Sequence, residues 1–147
     1  MHDVIDPTKK RHNSMLIPYY IVEDVLSVFL QRRTADAPRN PLMLGGFGGG
    51  LEDNENNEEA LLREMQEELE YVPQNYSLLG VFETEHSVSN YYIEEVSPDF
   101  DKAISFHEGT GEWHKASEVV ERDDISPNTR KVILTLFEKL IIKKLSQ

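Results

Sequence analysis

A chain of 147 residues with 27 acidic against 15 basic side chains, a net charge of −12, lacks the cations for a stripe that would grip duplex nucleic acid. Its 39% hydrophobic and 29% charged residues suit one soluble globular domain, with no run of about 18 apolar residues to span a membrane. The absence of cysteine excludes disulfides and thiolate metal sites, and the polar Met1–Asn13 lacks the apolar stretch of a secretory signal, so the expected location is cytoplasmic.

Residues 1–13 read as a loose lead-in. Met15–Val22 and Val25–Leu30 are two apolar runs punctuated by Glu23-Asp24, the pattern of two strands joined by a tight turn. Gln31–Gly50 reads as loop, rich in glycine and broken by Pro38 and Pro41. A helix follows over Glu58–Leu69, then strands at Ser77–Thr84, Asn90–Val96 and Gly111–His114. Ser126-Pro127 begins a last helix, in which Val132, Ile133, Leu136, Phe137, Leu140 and Ile141 form one apolar stripe. This order of elements predicts an α+β (α/β) domain, a mixed sheet with helices packed on its faces.

The helix at 58–69 carries the chemistry. At 100° per residue from Leu61, Met65, Leu69 and Leu62 fall at roughly 40°, 80° and 100°, while Glu67, Glu64 and Glu68 fall at roughly 240°, 300° and 340°. One face is apolar and another is a compact group of carboxylates. Between Glu52 and Glu70 there are nine acids and one base, Arg63. Exposed like charges at this spacing repel by a few tenths of a kcal/mol per pair, roughly. A solvated acidic face is one account of such a run. A divalent ion that takes oxygen ligands and keeps waters for a phosphate to displace is another. Gly48-Gly49-Gly50 just upstream favours the second account, because glycine lets a backbone approach a ligand closely and a helix start directs amides at an anion.

The segment Gly49-x5-Glu55-x7-Arg63-Glu64-Met65-Gln66-Glu67-Glu68-Leu69-Glu70-Tyr71 resembles the Nudix box, G-x5-E-x7-R-E-U-x-E-E-x-G-U with U aliphatic. The glycine, the four glutamates and the arginine all stand without a gap. Glu70 replaces the last glycine, which usually ends the helix in a left-handed turn, and Tyr71 replaces the final aliphatic residue. The resemblance implies the Nudix fold over residues 1–147 as one domain, a mixed sheet sandwiched between helices. It also implies Mg²⁺- or Mn²⁺-dependent hydrolysis of a nucleoside diphosphate linked to a group X. By position, Glu64, Glu67 and Glu68 would be metal ligands, joined by the carbonyl of Gly48. Arg63 would orient Glu64, the first choice for the base that activates water, and Glu55 would pair with Arg63 behind the box glycine Gly49.

Three shorter stretches are similar to MutT-type pyrophosphohydrolases that cleave oxidised guanine nucleotides. In Gln31–Ala37 the similarity gives Arg33 a phosphate contact. In Glu108-Gly109-x-Gly111-Glu112-Trp113 it gives Glu108 a reach to the metals, and in Pro127-Asn128 it gives Asn128 the reading of a base. Phe47 could stack on that base or wedge the glycine loop into the core. Arg32 and Arg33 could each be a plain surface charge, and Trp113 reads as packing. One of Tyr19/Tyr20 and one of Tyr91/Tyr92 should be buried, because strand neighbours alternate faces. His86, His107 and His114 form no ligand spacing.

The resulting expectation is a nucleotide substrate, first a nucleoside triphosphate with an oxidised purine in view, cleaved to monophosphate and pyrophosphate. A nucleotide sugar or ADP-ribose is the alternative, and a homodimer stays open. A Nudix-fold nucleotide sensor without catalysis would be expected to have lost at least one box glutamate, and none is lost here.

Overall fold

The computed structural model describes residues 9–145. In chain order it contains β1 (Arg11–Val22), β2 (Val25–Arg32), β3 (Leu44–Gly45), β4 (Phe47–Gly50), α1 (Asn57–Leu69), β5 (Tyr76–Glu83), β6 (Ser87–Glu95), a 3-10 turn (Phe100–Lys102), β7 (Thr110–Lys115), α2 (Ala116–Val119) and α3 (Pro127–Leu145). All seven strands join one mixed sheet, in the order β3-β2-β1-β6-β5, with β4 added to β1 and β7 to β2. β1 is its spine. It runs parallel to β6 over Arg11–Tyr19, and antiparallel to β4 over Asn13–Leu16 and to β2 over Tyr19–Val22.

Strand alternation sends side chains to two separate cores. On one face Ile17, Val28, Leu30, Tyr91 and Ile93 pack under Val132, Ile133 and Leu136 of α3. On the other, Leu16, Phe29, Phe47 and Tyr92 pack against Leu61, Met65 and Leu69 of α1. Because both faces are covered, Tyr91 and Tyr92 are both buried, which corrects the expectation that one of them would stay accessible. Tyr19 is buried, and Tyr20 rests edge-on against Trp113 at 4.6 Å. The apolar stripe of α3 is deepest near its start; Ile141 is half exposed.

The β1–β2 connection is the expected two-residue hairpin, with positive φ at both Glu23 (52°) and Asp24 (64°). Several boundaries move, and β6 begins at Ser87, three residues before the expected Asn90. Arg11–Asn13, assigned to the lead-in, belong to β1, while residues 1–8 lie outside the described part. The stretch 31–50 is not all loop: it contributes the end of β2 and all of β3 and β4. Among the described residues no helix is long and apolar enough to cross a membrane.

Candidate active site

Two glycines of β4 stand where only small residues fit, one against the backbone of β1 and one against a side chain of α1. Gly48 sits at φ +137°, and a Cβ there would lie 2.1 Å from the Ser14 carbonyl oxygen across the β1–β4 pair. A Cβ on Gly49 would meet Glu64 Oε1 at 2.7 Å, so this glycine clears the space that the Glu64 carboxylate fills. α1 starts with a capping box: the Asn56 side chain accepts from the Glu59 amide (2.8 Å) and the Glu59 carboxylate accepts from the Asn56 amide (3.0 Å). Ser14 Oγ donates to the Asn57 carbonyl at 2.7 Å, which pins the first turn to the sheet spine.

Arg63 is the hub of the helix's polar side. Its guanidinium grips Glu55 with two bonds (2.7 and 3.0 Å) and donates to Glu64 (3.1 Å), Glu67 (3.2 Å) and the Gly50 carbonyl (3.0 Å). Arg63 thereby holds the Glu55 carboxyl below the usual carboxylate range. Glu64 goes the other way. Burial raises it against the pull of Arg63, and the charges of Glu67 and Glu108 push it further. Glu67 is the outermost of the three, more than half exposed.

Glu68 does not share an open face with the others. It is 3% exposed, tucked under the sheet beside β2. Burial, followed by the charges of Glu64 and Glu108, pushes its carboxyl up to about 8, while the Gln31 side chain and the Gly48 amide pull it partly back. One oxygen accepts from Gln31 Nε2 at 3.3 Å; the other, Oε2, is buried without a hydrogen-bond partner. Gln31 Nε2 also donates to the Glu108 carbonyl (3.0 Å), so one side chain bridges the helix and the segment before β7. Gln31 escaped the sequence reading. Its signal was its place two residues after Phe29, on the strand face that α1 covers.

Gly109 (φ +66°) presses that segment onto β2, where a Cβ would come within 2.6 Å of the Arg32 carbonyl oxygen. Beside it opens a cavity of about 410 Å³, walled by Gln31, Arg33, Thr34 and Asp36 on one side and His107, Glu108 and Gly109 on the other. Of the residues considered for substrate contact, Arg33 lines this cavity and donates to the Arg39 carbonyl (2.7 Å). Arg32 is committed elsewhere, forked onto Glu112 (2.8 and 2.9 Å) and bonded to Asp124 (2.8 Å). Phe47 is wholly buried and stacked on Phe29 at 5.4 Å, so the core role is the one it has and no face is left for a base. Asn128, half-buried in the first turn of α3, does not line the cavity.

Four carboxylates thus lie in electrostatic reach of one another through Glu64 and Glu68. As placed, no three acidic or histidine side chains among the described residues form a cage ready for a metal ion, since Arg63 holds Glu64 and Glu67 toward Glu55. The donor set nevertheless fits a hard divalent cation: carboxylate oxygens, one of them buried and unpartnered.

A sequence model described as "NUDIX domain" matches residues 11–136. No curated protein matches the chain. Among solved structures, the NUDIX domain of Shewanella oneidensis NrtR complexed with ADP ribose superposes with a TM-score of 0.70 at 19% identity, covering 90% of this chain and 89% of that one. A MutT NUDIX hydrolase from Burkholderia pseudomallei gives 0.67 at 22% identity, with 86% and 98% covered. An Ap4A hydrolase binary complex from C. elegans gives 0.67 at 15% identity, with 89% and 98% covered. At such identities the likeness is one of fold.

Proposed function

The chain belongs to the NUDIX domain family, which with its intact glutamates supports a pyrophosphohydrolase, and from that premise we propose that it hydrolyses a nucleoside diphosphate linked to X with the help of Mg²⁺ or Mn²⁺. The observation that carries this reading is Glu68: a buried carboxylate with an unpartnered oxygen, beside Glu64 and Glu108, is an arrangement that a cation relieves.

Glu64, Glu67 and Glu68, with the Gly48 carbonyl and Glu108, would hold the ion. When bound, it supplies positive charge to the bridging and leaving phosphate oxygens. Glu64 receives the proton of the attacking water on its carboxylate. Arg63, held by Glu55 from behind, keeps that carboxylate aimed, and Gly49 leaves it room. Arg33 neutralises a phosphate from the cavity wall. The preferred substrate is a nucleoside triphosphate cleaved to monophosphate and pyrophosphate. Phe47 lies in the core and Asn128 outside the cavity lining, so neither carries the choice of an oxidised purine. ADP-ribose is the second reading, favoured by the bound ligand of the Shewanella neighbour.

A release screen with Mg²⁺ tests this, comparing nucleoside triphosphates, oxidised dGTP, ADP-ribose and nucleotide sugars, with Glu68→Gln as control. Turnover of one class, lost in the variant, names X. Silence across the panel from folded protein rejects the reading.

A further inference from the structure

The residue that departs from the family box is placed to do something the box glycine cannot. Glu70 caps α1 in the left-handed region (φ 51°, ψ 44°), where its amide reaches back to the Gln66 and Met65 carbonyls. That conformation costs an ordinary residue free energy that glycine is spared. Its side chain is directed at the segment that precedes β7. Glu70 Oε2 lies 2.9 Å from His107 Nε2, and the same segment docks on the last carbonyls of α1: the Ser105 amide donates to Leu69 (3.1 Å) and the His107 amide to Glu68 (2.8 Å). The next residue along is Glu108, whose carbonyl is tied through Gln31 to the Glu68 carboxylate.

From this geometry we infer that Glu70 is a positioning residue: with His107 it straps the Glu108 segment to the end of the carboxylate helix and so fixes where the Glu108 charge stands relative to Glu64 and Glu68. Two elements that must present carboxylates to one ion are otherwise joined at this corner by backbone bonds at a helix end, where ladders fray. A side-chain pair across the joint biases it closed. The pair is half exposed on both sides, so its effect is moderate. The inference rests on the metal-dependent reading given above for the importance of Glu108, but not for the existence of the strap.

The test compares wild type, Glu70→Gly, Glu70→Gln and His107→Ala by hydrogen–deuterium exchange over residues 104–109 and by calorimetric titration with Mn²⁺. Glu70→Gly restores the box residue and relieves the left-handed cap, so its melting temperature should hold or rise. The strap nevertheless requires its Ser105 and His107 amides to exchange about threefold faster and its Mn²⁺ affinity to fall by a similar factor. His107→Ala should reproduce both changes. Glu70→Gln, which keeps an acceptor for His107, should recover most of the protection. Unchanged exchange in Glu70→Gly overturns the strap, and faster exchange with unchanged Mn²⁺ affinity overturns its link to the site. A wild-type protein that binds no Mn²⁺ refutes the functional reading instead, and the exchange data then decide the strap alone.

Discussion

Three consecutive glycines in β4 face three different surroundings, and one methyl group added to each should separate fold from chemistry. In Gly49→Ala the new Cβ meets Glu64 Oε1 at 2.7 Å, its Cδ at 3.0 Å and Oε2 at 3.1 Å, whereas ordinary contact begins at 3.4 Å. The carboxylate must retreat by about 0.7 Å. It is the end of a flexible side chain, so the backbone can stay and the protein should melt near the wild-type temperature. Displacements of that size at a reacting group cost roughly 10²-fold per ångström, so kcat/KM should fall by about 10- to 100-fold. In Gly48→Ala the obstacle is the Ser14 backbone, 2.1 Å away, at a φ of +137° that alanine resists. Here the β1–β4 pair itself must give, with a stability loss of about 2–4 kcal/mol. In Gly50→Ala the nearest atoms stand at 3.7 Å, and neither property should change. Steady-state hydrolysis of the substrate identified in the screen, beside thermal melts of all three variants, reads the outcome. Full activity in Gly49→Ala, or a loss that only tracks its melting temperature, would refute the assignment of Gly49 as the space for Glu64.

Gln31→Leu removes the donor shared by the buried Glu68 carboxylate and the Glu108 carbonyl; chemical denaturation should show a loss of about 1–3 kcal/mol, with turnover reduced as well. Tyr71→Phe strips one bond from the buried Glu94, which keeps the Gln74 and Asn75 amides (2.8 and 2.7 Å), so about 1 kcal/mol of stability should go while kcat holds. The Arg32 fork, helped by His114, holds Glu112 at about 2, below the ordinary 4.5, and Arg122 and Arg32 hold Asp124 lower still. Both groups are depressed on folding, so their contribution is complete above the ordinary range and drains away as pH falls through about 2. Urea midpoints should therefore drop between pH 4.5 and 2 in the wild type, and Arg32→Gln should start lower at neutral pH and decline less over that window. An equal slope in the variant would count against it.

What could be read from the sequence was local. The two-residue hairpin, the span of α1 and the start of α3 each announce themselves within a few residues through turn chemistry, capping and 3.6-residue periodicity. The carboxylate spacing was legible for the same reason. β3 and β4 were not, because a run of glycines carries no side-chain alternation; β4 exists through its pairing with β1, more than thirty positions away. Burial of both Tyr91 and Tyr92 depends on helices covering both faces, a tertiary fact. Glu68 looked like part of one acidic surface, yet the sheet covers it and leaves Glu67 outside. Gln31 and the Glu70–His107 pair connect elements whose approach only the fold determines. Phe47 shows the converse limit: its sequence context left stacking on a base and packing in the core equally open, and only its burial against Phe29 decides for the core.

The placement of β1 also bears on how the protein is made. Its parallel partner β6 ends at Glu95, so the β1–β2 hairpin leaves the ribosome long before the strand that closes its flank. At about 5–20 residues per second, that wait lasts roughly 3–13 seconds. Throughout it, the edge of β1 over Arg11–Tyr19 presents unpaired amides and carbonyls beside apolar side chains, a template for any other nascent copy. Slow translation or crowded polysomes should therefore harm the yield of this protein more than that of one whose first strand pairs only with its immediate neighbours in sequence.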